Sequence, residues 1–108
     1  MKDLWSGVAC LKASPEVKNF RRFGKGKGAF VNIVAWADSQ SDFEVHVKRQ
    51  VEDLDCILVE LEGVHLLEDR MKAEEYPEEL ITMRETANRQ PDDTVFGTFH
   101  VWYQNESN

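Results

Sequence analysis

One run of nine residues, Ala29 to Ala37 (AFVNIVAWA), constrains this chain more than any other, because Asn32 is its only polar member. Val, Ile and aromatic side chains favour an extended backbone. A strand with one wet face would alternate apolar and polar residues, so an unbroken run predicts a central strand covered on both faces. The next residues, Asp38-Ser39-Gln40-Ser41, are rich in helix caps, and Ser41 and Glu44 stand at the spacing of a capping box. Phe43, Val47, Val51 and Leu54 then recur at intervals of four, four and three, which lines them up along one helical stripe. Cys56 to Glu62 (CILVELE) reads as a further strand, with Ile57, Val59 and Leu61 on one side and Leu58, Glu60 and Glu62 on the other. Strand, helix and strand make a βαβ unit, whose crossover is right-handed and whose strands run parallel.

The flanking segments add a sheet partner at each end. Gly7 to Ala13 is a short apolar strand, and Ser14-Pro15-Glu16 has the composition of a helix start, giving a short helix over residues 15–23 or, as the competing reading, an extended hairpin arm. Gly24 to Gly28 links it to the central strand. Beyond Gly63, residues Val64 to Leu67 extend the strand past a bulge or begin a loop, and Glu68 to Glu75 reads as solvated. Pro77 opens a second long helix through about Arg89, with Leu80, Met83 and Ala87 inward. Thr94 to Gln104 (TVFGTFHVWYQ) is the last strand, with Val95, Gly97, Phe99, Val101 and Tyr103 on one face and Phe96, Thr98, His100 and Trp102 on the other. Residues 104–108 read as a loose tail.

These elements predict one domain over residues 1–108 of α+β class: a single four-stranded sheet, two main helices on one face and a ferredoxin-like βαβ core. The strand, Ser-capped helix and strand over roughly residues 29–62 look like those of small bacterial ferredoxin-like proteins, toxin-immunity types among them. The likeness brings no diagnostic motif, and no functional residue is carried over from it.

Composition narrows the function classes. The net charge of -7 divides unevenly, with seven bases and three acids (+4) over residues 1–40 and six bases and 17 acids (-11) over residues 41–108. An acidic body argues against nucleic acid as the main partner and suits a basic protein partner, or imitation of a nucleic-acid backbone. No segment approaches the length of apolar sequence that spans a bilayer, and the N-terminus lacks the apolar stretch of a signal peptide, so a cytoplasmic protein without a membrane segment is expected. Cys10 and Cys56 are too far apart for a CxxC pair and sit in apolar runs, which predicts buried free thiols.

Few residues carry chemistry. Arg21, Arg22, Lys25 and Lys27 surround the Gly24–Gly28 loop and could converge on a phosphate or carboxylate, although the loop runs into a strand and not into the helix a phosphate-binding loop requires. His46, His65 and His100 form no metal-ligand pair, neither cysteine follows a nucleophile turn, and no metal or cofactor is expected. Glu60 and Glu62 share a strand face, a pattern that serves acid/base chemistry or mere solubility. Trp5, Phe96, His100 and Trp102 are candidate interface anchors, with Phe96 and Trp102 forming an aromatic ridge that is covered by a second subunit or closed over as core. The expected function is a non-enzymatic, acidic, cytosolic protein-interaction module, a homodimer or an inhibitor or immunity-type binder of another protein. The alternative is a small-ligand or anion-binding domain, enzymatic or not, built on residues 21–28.

Overall fold

The computed structural model describes residues 2–16, 23, 26–75 and 77–103. Residues 17–22 lie outside them, so the short helix or arm over 15–23 is not described, and neither is the tail at 104–108. Strand β1 (Asp3–Ala13) pairs antiparallel with β2 (Gly28–Ala37) on one side and with β3 (Cys56–Leu66) on the other. Two short strands, β4 (Val95–Phe96) and β5 (His100–Trp102), lie along the remaining edge of β2. Helix α1 (Gln40–Asp53) joins β2 to β3, and α2 (Leu67–Ala73) and α3 (Glu78–Arg89) join β3 to β4. The result is an α+β fold with an antiparallel sheet of order β3-β1-β2-β4. Because β2 and β3 are each antiparallel to β1, they run parallel to one another with β1 between them. The first two strands pair antiparallel side by side, whereas in a ferredoxin-like domain the first strand lies beside the third and fourth.

The helices occupy both faces, which corrects the expected single helical layer. On the first face, Ala29, Val31, Ile33, Ala35 and Ala37 of β2 join Ala9 and Leu11 of β1 against Phe43, Val47 and Val51 of α1. On the second face, Val34 packs with Leu67 and Met71 of α2, Leu80, Met83 and Ala87 of α3, and Val95, while Leu4 and Trp36 lean on this cluster. A strand apolar on both sides cannot be sealed by one layer, and α2 supplies part of the second. The segment around Glu68, expected to be solvated, is helical because Leu67 and Met71, one turn apart, bury completely.

Two further differences concern phase. The cap of α1 is Ser39, not Ser41: its hydroxyl accepts the Asp42 N–H at 3.1 Å, and the Asp42 carboxylate accepts the Asp38 N–H at 3.0 Å. The last strand is interrupted. Ile33 pairs with Phe96, a register that would set Phe30 opposite Phe99, yet Phe30 pairs with His100. One extra residue is accommodated at Gly97–Phe99, so Phe96 and Phe99 both face the first core and His100 and Trp102 face the other side. In β3 the same device occurs twice. Val59 is an extra residue between the Leu58–Leu11 and Glu60–Cys10 pairs, and Gly63, at φ 58°, marks the second bulge, so Leu58 and Leu61 both reach the first core.

The Asp42 carboxyl is held below its usual value first by the Asp38 N–H, with burial opposing and His46, 3.4 Å away, assisting. A lowered folded-state value contributes stability above the unfolded value, and that contribution disappears as pH falls through the folded value. Asp42→Asn should therefore lower the urea midpoint near pH 7 and lower it by less near pH 3, as the pH falls towards the lowered folded-state value of the native carboxyl. Ser39→Ala, which removes the cap itself, should cost about 1 kcal/mol at both pH values.

Candidate interaction surface on the second sheet face

Strand register sets the side chains of the second face in rows across the sheet. His65, Ser6, Val34 and Val95 form one row, Glu62, Val8 and Asn32 the next, then Glu60, Cys10, Phe30 and His100, and finally Ile57, Lys12, Gly28 and Trp102. Helices α2 and α3 cover Ser6, Val34 and Val95 of the first row and stop at Asn32. There the amide bridges the two helices: Arg70 Nη2 of α2 donates to Asn32 Oδ1 at 2.5 Å, and Asn32 Nδ2 donates to Glu79 Oε1 of α3 at 2.9 Å. Arg70 also donates from Nε to Glu74 at 2.6 Å, and its side chain is only 12% exposed. Glu79 approaches this closely because position 97 is glycine; a Cβ there would lie 2.2 Å from Glu79 Oε1. Its N–H donates to the Asn32 carbonyl at 2.8 Å. Asn32→Ala should leave Arg70 and Glu79 without their shared partner and cost about 1–3 kcal/mol in chemical denaturation. A loss within measurement error would show that the amide holds nothing.

Beyond Asn32, among the described residues, no helix covers the face. Phe30, in the middle of the sheet, is 46% exposed. Trp102 lies flat over Gly28, where a Cβ would come within 2.4 Å of its ring, and Trp102 O accepts the Lys27 N–H at 2.9 Å. Its indole N–H is buried with no full hydrogen-bond partner and acts on the Cys10 thiol, sulfur being a weak acceptor. Burial pushes that thiol above its usual value, the Trp102 N–H opposes the shift, and Glu60 and Glu62 add to it. Glu60 is itself pushed up by Glu62, through a shared hydrogen bond and then through like charge. Two acids crowded together at this edge favour a positively charged neighbour.

The four expected interface residues divide between the two faces. His100 and Trp102 stand on the open surface, whereas Trp5 and Phe96 pack against the first core, so the Phe96–Trp102 ridge does not form. The inserted residue in the last strand is the cause. Of the expected anion site, Lys27 is exposed, and Arg21, Arg22 and Lys25 lie outside the described residues. Cys56 is buried, as expected, but Cys10 is partly exposed. Phe30 and Cys10 were missing from the candidates because a central strand was expected to be covered everywhere. The signal was Asn32, which shares a face with Phe30 and marks where apolar cover ends.

Catalytic geometry is not assembled on this face. Cys10 and His100 share a row with Phe30 between them, about 10 Å apart at two strand spacings, too far for a thiol and its base. Among the described residues no cluster of His, Cys, Asp and Glu is placed to hold a metal, and no helix is long and apolar enough to cross a membrane. No family model, curated protein or solved structure matches the chain.

Proposed function

We propose that this chain is a non-catalytic, cytosolic interaction module that self-associates through the open half of its second sheet face. The exposure of Phe30 at the centre of the sheet carries the reading, since a large apolar side chain flanked by Trp102 and Val8 is stabilised by removal from water. A two-fold axis perpendicular to the strands brings the Phe30 regions of two copies together, with α2 and α3 of each copy lying beyond the end of the other's open rows. The Cys10 thiol, outside any disulfide, suits a reducing compartment.

The open rows span roughly 15 Å by 15 Å. That is below the ~800 Å² each partner buries in a standard interface, so the dimer is weak and concentration-dependent. Sedimentation of the full chain should show monomer and dimer exchanging in the micromolar range or above. Phe30→Glu should abolish the dimer without lowering thermal stability. A monomer up to roughly 1 mM would remove self-association and leave an unrelated protein as the occupant of this face.

A further inference from the structure

At the opposite end of the second face, between α2, α3 and the start of the sheet, lies a cavity of about 420 Å³. That volume falls within the ~300–1,000 Å³ typical of small-molecule sites. Its floor includes Leu4 and Trp36, cross-strand partners on β1 and β2. The Trp36 ring is fixed in place, its N–H donating to the Ala87 carbonyl of α3 at 3.1 Å. Carboxylates enter from α2 as Glu68 and Asp69, while α3 contributes Arg84 and Asn88 and Asp3 forms part of the rim.

These charges remain apart. Among the described residues Arg84, Asp3 and Asp69 form no ion pair within 4.0 Å, and Glu68 has only a 3.9 Å contact with the exposed Lys72. An arginine close to carboxylates ordinarily closes into a short forked pair. Here guanidinium and carboxylates line the same space without closing it, which leaves an anionic wall from α2, a cationic wall from α3 and an aromatic floor. A simple anion would meet two carboxylates and a simple amine would meet Arg84. A molecule carrying both charges on an apolar body satisfies the two walls together.

We infer that this cavity binds a free α-amino acid with an apolar side chain. Its ammonium group meets Glu68 and Asp69, its carboxylate meets Arg84 and Asn88, and its side chain lies on Leu4 and Trp36. The site is independent of the open face around Phe30.

Titration of the ¹⁵N-labelled chain, followed at the Trp36 indole N–H, tests this with three probes: L-phenylalanine, 2-phenylethylamine and 3-phenylpropanoate. The amino acid should give a saturable shift at least about tenfold tighter than either half-molecule, since each lacks one charge-assisted contact. Arg84→Gln should reduce L-phenylalanine to the affinity of the amine, and Asp69→Asn should weaken it in the same titration, with the remaining resonances reporting an intact fold. Absence of a saturable shift with L-phenylalanine, equal binding of the amine, or an Arg84→Gln variant that binds unchanged would each overturn the assignment.

Discussion

Everything in this fold follows from the need to cover β2 on both sides. Val31, Ile33 and Val34 are fully buried, and removing each from water contributes on the order of 1.5–3 kcal/mol. Val31 and Ile33 point one way and Val34 the other, so the chain has to supply two separate layers. The first is α1 alone. The second is assembled from α2 and α3, tied to the strand through Asn32 and through the Trp36–Ala87 hydrogen bond.

The two layers differ in reach, and this difference creates the open surface. Helix α1 has 14 residues, about 21 Å at 1.5 Å per residue, and the rest of its face is filled by Phe23, Phe96, Phe99 and Val101. Phe99 stands 6.0 Å from Phe23 and 6.2 Å from Phe96, centroid to centroid. On the second face α2 has seven residues, about 10 Å, and lies over strands more than 30 Å long. The single residue inserted at Gly97–Phe99 decides which face receives the phenylalanines. The first face is completed by it and the second is left short.

Much of the fold was legible in the sequence, and the residues that misled did so for identifiable reasons. The stripes Phe43, Val47, Val51 and Leu80, Met83, Ala87 are buried as their spacing requires. The unbroken run from Ala29 to Ala37 already implied cover on both faces, yet with only two helices evident a one-sided layer was the simpler architecture. Helix α2 was hidden because its anchors, Leu67 and Met71, are separated by Glu68, Asp69 and Arg70. A helix this short owes its stability to packing, which composition does not report. Bulges at Val59 and in the last strand were also hidden, because alternation defines a face only while the register is continuous. For the candidate surface, His100 and Trp102 were named from the sequence as interface anchors, whereas Phe30 was not, since its exposure depends on where α2 ends.

The bulges of β3 bear on how copies of this chain can meet. An outermost strand of 11 residues offers unpaired backbone groups along its length, and Val59 on it is 53% exposed. A straight edge of that kind templates pairing that repeats without end. Two interruptions, at Val59 and Gly63, break the hydrogen-bonding ladder before it can be copied in register. Growth along the edge is thereby discouraged. The same irregularities that shift side chains between faces therefore work against the edge-to-edge pairing that builds fibres.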